Sequence, residues 1–285
     1  MKIAVLSGKG GTGKTFCAVN LAANSSNSVY IDCDIEEPNG HLFFKPSKIH
    51  KENVHVLIPS INETLCDGCR KCVDFCQFNA LAFVSNRVIV FKDICHSCGG
   101  CALVCPNQAI FDISKKIGVI EDGIALNTRV ISGFLDLGIE SGIPIIKKII
   151  QKISQNESLV LIDCPPGSSC SVIESIQNAD FCLIVAEPTI FGAHNLEMVY
   201  ELVKMVEKPF GVLLNKSMGI EDPSENFCQE HEIPIMGKIP YDEELGQLNA
   251  EALIAVFENN NYKKIFEKIL SNIISEVHHE TTINS

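Results

Sequence analysis

The chain has 285 residues, 46% of them hydrophobic and 20% charged, with 14 cysteines and no tryptophan. That apolar content excludes disorder as the main state, and the length suits one large α/β domain or two smaller ones. Lys and Arg number 23 against 35 Asp and Glu, a net charge of −12 that argues against non-specific nucleic-acid binding. No uncharged apolar window of about 18 residues is present to span a membrane, and the chain opens on a strand pattern with no cleavable leader ahead of it. The expectation is a cytoplasmic protein in a reducing compartment, where so many cysteines point to metal binding and not to disulfides.

In chain order, short β-branched runs predict strands at 2–6, 28–32, 54–58, 159–163, 181–186 and 210–214. Amphipathic spacing predicts helices at about 14–24, 142–154, 170–178, 193–206, 223–231, 242–257 and 261–277. Such alternation implies an α/β fold, a mostly parallel sheet with helices on both faces. Residues 61–114 break the pattern and hold eight of the cysteines. The expected organisation is therefore a discontinuous domain, 1–60 and 115–285, interrupted by a small α+β module at 61–114.

Gly8-Lys9-Gly10-Gly11-Thr12-Gly13-Lys14-Thr15 fits G-x-x-x-x-G-K-[ST], directly between a strand and a helix. Glycines let backbone N–H groups turn inward around phosphates, and the helix N-terminus adds its dipole. Lys14 would reach the terminal phosphates and the Thr15 hydroxyl would ligate Mg²⁺. A ligand-free glycine turn is the competing reading, disfavoured because every motif position is filled in the right context. Leu159-Val160-Leu161-Ile162-Asp163 is an apolar strand ending in aspartate, suited to holding Mg²⁺ through water or, more plainly, to capping a helix.

With Lys9 inside the loop, the sequence resembles the deviant Walker A ATPases, which include MinD, ParA, the Mrp-type carriers and the nitrogenase iron protein. That resemblance implies that Lys9 reaches the partner's phosphates in a nucleotide-sandwich dimer; without it, Lys9 would be a solvated loop lysine. It also implies that Asp34 orients the attacking water, that Asp32 supports the metal shell, and that Asn215 reads the base. Cys164-Pro165-Pro166-Gly167 resembles the second switch of the Mrp-like proteins. Met218 stands where a guanine site would want aspartate, so ATP is the expected nucleotide.

The clustered cysteines form two runs, Cys66-x₂-Cys69-x₂-Cys72-x₃-Cys76 and Cys95-x₂-Cys98-x₂-Cys101-x₃-Cys105-Pro106, the second opening 29 residues after the first. Ala80-Leu81 and Ala109-Ile110 repeat at the same offset, so the block is an internal duplication. Between the runs, 81–84 and 88–91 flank Ser85-Asn86-Arg87 as a hairpin. In this spacing three cysteines serve one cluster and the fourth the other. Cys66, Cys69, Cys72 and Cys105 would hold one [4Fe–4S] cluster, and Cys95, Cys98, Cys101 and Cys76 a second. Cys₄ zinc is the competing reading. The block resembles a two-cluster bacterial ferredoxin, except that Gln77 follows Cys76 where that pattern has proline. Of the scattered cysteines, Cys17, Cys33 and Cys182 read as small buried hydrophobes. Cys164, beside the nucleotide, invites a redox role, but the bland reading is preferred there too.

Nearly the whole chain thus resembles a MinD/Mrp-like ATPase with an inserted ferredoxin. The resemblance implies slow, partner-stimulated Mg-ATP hydrolysis by a homodimer or a dimer with a paralogue, coupled to ATP-gated electron transfer to a redox protein. A cluster-assembly or carrier ATPase of the Mrp kind is the alternative, and a positional ATPase like MinD a weaker third. At the C-terminus, Tyr262, Ile265, Phe266, Ile269, Leu270, Ile273, Ile274 and Val277 make an apolar stripe. MinD-like relatives grip membranes with such a helix. Here Glu267 and Glu276 offset Lys263, Lys264 and Lys268, and 278–280 add no firm positive charge, so packing on the sheet is expected instead.

Overall fold

The computed structural model describes residues 1–154, 157–219 and 222–283, with side chains to 278. Its first half contains β1 (Lys2–Leu6), α1 (Lys14–Ala23), β2 (Ser28–Asp32), α2 (Gly40–Phe44) and β3 (Ser47–Ile61). The cysteine block follows with α3 (Lys71–Phe75), β4 (Leu81–Val84), β5 (Arg87–Val90) and α4 (Gly100–Leu103). The chain returns through β6 (Ile110–Ala125), β7 (Thr128–Leu135), α5 (Ile143–Ile150), β8 (Leu159–Asp163), α6 (Cys170–Ile176) and β9 (Phe181–Ala186). It ends with α7 (Ile190–Met205), β10 (Phe210–Ser217), α8 (Pro223–Glu230), β11 (Ile235–Pro240), α9 (Glu243–Ala250), α10 (Ala255–Glu258) and α11 (Asn260–Ile283).

Among the described residues nine strands make one sheet in the order β11-β10-β9-β1-β8-β2-β7-β6-β3. Neighbours from β11 to β7 are parallel, and β6 and β3 close that edge antiparallel. Buried on both faces, the central strands read as continuous apolar runs, which is why they were legible. Alternate residues feed two cores. Ala4 and Leu6 join the side covered by α5 to α8, whereas Ile3 and Val5 join the side covered by α1 and α9 to α11. The mostly parallel α/β expectation holds.

The largest departure is a ribbon. β3 and β6 pair from Ser47↔Ile124 to Ile61↔Ile110, so the expected strand at 54–58 is one third of a much longer one. The cysteine block occupies the ribbon's tip, and the expected 60/61 and 114/115 boundaries fall along its strands. Polar residues such as His50, Lys51, Glu52 and Asn53 masked the alternation of β3, while interior glycines weakened the signals of β7 and β11. In the tip, β4 and β5 form the expected hairpin, one residue earlier in its second strand. Ser85 and Asn86 take φ of 49° and 62°, the left-handed pair of a two-residue hairpin turn.

Other boundaries moved for local reasons. Thr189 caps α7 by accepting from the Gly192 N–H, starting it before 193. The helix expected over 242–257 is two, α9 and α10, broken where Ala252 takes φ 51°. In α11, Tyr262, Phe266, Ile269 and Ile273 are 5%, 1%, 2% and 0% exposed within the second core, as expected for a sheet-covering helix. The side chains of residues 279 and 280 lie outside the described set. Among the described residues no helix is long and apolar enough to cross a membrane.

Candidate functional site

Parallel strands bring their carboxyl ends to one edge of the sheet, where α/β folds bind ligands. β1 runs there into the glycine loop. Gly11 and Gly13 have φ of +83° and +90°, and a Cβ on Gly13 would collide with the Asn215 amide. Asn215, at the end of β10, donates from Nδ2 to the Thr12 carbonyl at 2.7 Å. Thr12 Oγ1 is buried without a hydrogen-bond partner among the described residues. Loop residues Lys9 to Thr15, Asp34, Asn39 and Asn215 line a cavity of about 520 Å³, within the range of about 300–1,000 Å³ usual for small-ligand sites.

Behind the loop lies a buried charge cluster. Lys14, 6% exposed, sets Nζ 2.5 Å from Asp163 Oδ1 and 3.9 Å from Asp34 Oδ2. Burial alone would lower the Lys14 pKa, but Asp163, Asp34 and Asp32 together hold it above its ordinary value. Asp32 and Asp163 are register partners on β2 and β8. Burial, then the neighbouring Asp163, pushes Asp32 up to about 8. Burial also raises Asp34 to about 6, against the pull of Lys14. Asp34 lines the cavity; Asp32 and Asp163, both fully buried, do not. Instead Asp32 Oδ1 accepts from the Asp34 N–H (3.2 Å), and Oδ2 from Asn39 (3.1 Å) and Gly40 (2.9 Å). Its position governs the backbone of the segment after β2. Thr15, Asp34 and Asp163 are hard oxygen donors of the kind Mg²⁺ prefers, so the side chains present fit that ion.

Lys9 turns to Glu187, which also lies 3.4 Å from Lys216 Nζ; the two lysines hold the Glu187 carboxyl below its ordinary pKa despite its burial. Three features of this site were missed in the sequence. They are Tyr30, whose hydroxyl donates to Asp163 Oδ2 at 2.9 Å; Glu187; and a wall formed by Pro240, Tyr241, Asp242, Leu245 and Asn249. The last carried a readable signal, a strand-ending proline followed by Asp242 capping α9 through the Glu244 N–H. Cys164 is fully buried in the first core, where burial drives its thiol well above the ordinary range, as the bland reading requires.

At the ribbon tip, Cys66, Cys69, Cys72 and Cys105 line one small hollow. Cys76, Cys95, Cys98 and Cys101 line a second, of about 210 Å³. The duplication is also conformational: left-handed φ recurs at Gly68 and Ser97, Arg70 and Gly99, and Asn79 and Gln108. Each pair is 29 residues apart. The Ala80 and Ala109 N–H groups donate to Cys76 Sγ and Cys105 Sγ, both at 3.3 Å. Burial pushes up the thiols of Cys72, Cys95 and Cys101, the last to about 11. Among the described residues no three His, Cys, Asp or Glu side chains converge as a single-ion site. Each hollow gathers four cysteine side chains, the donor type that iron–sulfur clusters take.

A glycine loop between strand and helix, facing strand-end aspartates on a parallel sheet, defines a P-loop nucleotide-binding protein. Residues 3–255 match the profile of the CobQ/CobB/MinD/ParA nucleotide binding domain family, CbiA, and the chain belongs to that family. Two uncharacterized proteins of Methanocaldococcus jannaschii are 29% and 31% identical to it. They cover 96% and 94% of this chain, and 98% and 96% of their own lengths. The fold is similar to the cell division ATPase MinD of Pyrococcus furiosus (TM-score 0.61, 18% identity, 96% of this chain and 98% of that one). It is also similar to the septum site-determining protein MinD of Pyrococcus horikoshii complexed with Mg-ADP (TM-score 0.59, 18% identity, 94% and 93%).

Proposed function

We propose that this protein is an iron–sulfur ATPase in which a nucleotide-dependent dimer works on two [4Fe–4S] clusters. Residues 1–60 and 115–285 form its ATPase domain, and 61–114 a two-cluster module of the ferredoxin kind. The observation that carries the reading is the crossed sorting of eight cysteines into two hollows, with Cys105 beside the first run and Cys76 beside the second. The Mg-ADP complex of the horikoshii MinD supports a magnesium nucleotide in the glycine loop. In this reading Gly8 to Lys14 cradle the phosphates, Thr15 and Asp163 serve Mg²⁺, Asp34 orients water, and Asn215 meets the adenine. Lys9 leaves Glu187 for the phosphates of a second copy or paralogue. When bound, each cluster supplies one-electron chemistry, and the activity proposed is slow, partner-stimulated hydrolysis gating electron delivery to a redox protein.

Anaerobically purified protein is expected to carry about eight irons and eight sulfides per chain, reducible by a low-potential donor, and to dimerise with Mg-ATP. Stoichiometric zinc and no brown chromophore after anaerobic reconstitution overturn the cluster half. A second reading, a cluster carrier, draws on the exposure of Cys69 and Cys98; it predicts transfer of iron and sulfide to an apo-acceptor and loss to chelators, where resident redox centres persist.

A further inference from the structure

Tyr30 is an aromatic residue on a central strand, 0% exposed, with its hydroxyl at the point where three parts of the nucleotide site meet. The hydroxyl donates to Asp163 Oδ2 at 2.9 Å. It stands 3.5 Å from Asp32 Oδ2, the atom that accepts from the Asn39 and Gly40 N–H groups. The ring packs on Phe44 of α2, centroids 5.2 Å apart. Gly40 lies so close that a Cβ there would overlap the ring and its oxygen. One hydroxyl therefore sits between the β8 aspartate, the β2 aspartate and the first residue of α2.

Among the described residues the Asp163 carboxylate has two side-chain partners, Lys14 on Oδ1 and Tyr30 on Oδ2. They differ in what a nucleotide does to them. Lys14 lines the cavity and, in the reading above, serves the phosphates; Tyr30, on β2, is fully buried against Phe44 of α2. With Lys14 serving phosphates, the tyrosine hydroxyl is, among the described residues, the side-chain donor left to fix the Asp163 carboxylate. A carboxylate without that donor can rotate about its terminal bond and lies next to Asp32 with nothing between them.

We propose that Tyr30 is a positioning residue for Asp163: its hydroxyl holds Oδ2 so that Oδ1 meets the hydration shell of Mg²⁺, and it thereby sets the site's affinity for that ion. The role rests on the Mg-nucleotide reading above and adds to it a residue that neither the loop motif nor the strand-end aspartate specifies. Groups that orient metal-binding carboxylates from behind typically change metal affinity by about 10–100-fold when removed.

The test uses the full-length protein, a fluorescent ATP analogue and a titration of Mg²⁺ from EDTA. Tyr30→Phe keeps the ring and deletes only the hydroxyl. It is expected to raise the Mg²⁺ half-point about tenfold while changing analogue binding in EDTA by less than about twofold. A merely structural role would weaken both together. An unchanged half-point, or an equal loss with and without Mg²⁺, overturns the role of Tyr30 and leaves the nucleotide site standing. Wild-type protein that binds the analogue with no response to Mg²⁺ overturns both.

Discussion

Lys14 and Asp163, 149 residues apart in the chain, form a buried ion pair with Nζ 2.5 Å from Oδ1. The cation that would meet phosphates faces three acidic side chains, Asp163, Asp34 and Asp32, and together they raise its pKa against the effect of burial. A phosphate group that recruits Lys14 must therefore displace the Asp163 carboxylate from it.

Replacing that lysine is expected to do two things at once. Lys14→Ala removes the charge that meets the terminal phosphates, so Mg-ATP binding is lost. It also leaves buried carboxylates without their cation, which costs about 3–5 kcal/mol for a truncated buried pair. Thermal melts of the nucleotide-free protein and equilibrium ATP binding measure the two effects separately. Undiminished ATP affinity would refute the phosphate-loop assignment.

Asp34 gives a pH-dependent prediction with the opposite sign to most carboxylates. Its folded pKa of about 6, raised by burial against the attraction of Lys14, stands above the ordinary 3.8. Between those values the folded protein keeps a proton that the unfolded chain has released. That stabilisation is complete below about pH 4 and is lost as pH rises through about 6. Asp34→Asn is thus expected to be more stable than wild type at pH 7, by about 1–2 kcal/mol after solvent screening. The advantage disappears near pH 4. Melting both proteins without nucleotide across that range decides it; a variant less stable at pH 7 removes the argument.

The cysteine pairing can be tested by double substitution. Cys66→Ser with Cys105→Ser alters one hollow only and is expected to leave about four irons per chain. Cys95→Ser with Cys105→Ser alters both hollows and is expected to leave far fewer. An uncrossed arrangement reverses the two results, because Cys95 and Cys105 would then belong to the same cluster. Iron and sulfide analysis after anaerobic purification separates the arrangements.

Sequence legibility followed burial. β1, β2, β8, β9 and β10 are covered on both faces, so their apolar runs declared themselves together with the polar residues at their ends. The ribbon was hidden because its outer half faces solvent: Lys48, Ile49, His50 and Lys51 are all exposed, and no apolar face repeats there. The loop motif and the cysteine spacing were readable because their chemistry fixes residue type at fixed intervals. Tyr30 and Glu187 were not, since each acts on a group distant in sequence. A tyrosine in an apolar strand looks like packing until its hydroxyl is found beside an aspartate from β8.

The last helix separates two roles that the same apolar stripe can serve. Phe266 is 1% exposed, packs edge-on against Phe16 of α1 at 6.3 Å, and shares its core with Ile269 and Ile273. Asn272 donates to the Met236 carbonyl on β11 at 2.9 Å, a bond that ties the helix to the sheet edge. A helix held this way covers the core and does not offer the stripe to lipid. Phe266→Ala is therefore expected to destabilise the ATPase domain by about 3–5 kcal/mol, the usual cost of deleting a buried phenylalanine ring. Truncation after residue 261 is expected to abolish soluble yield. The exposed residues on α11 include Lys263, Lys264, Glu267 and Lys268, and of the stripe Ile274 is 38% exposed, so its outer face is mostly polar, unlike the broad apolar face that an interfacial helix inserts. Sedimentation with anionic liposomes supplies the decisive contrast: a truncated protein that stays folded, together with an intact one that pellets, would assign the stripe to the membrane.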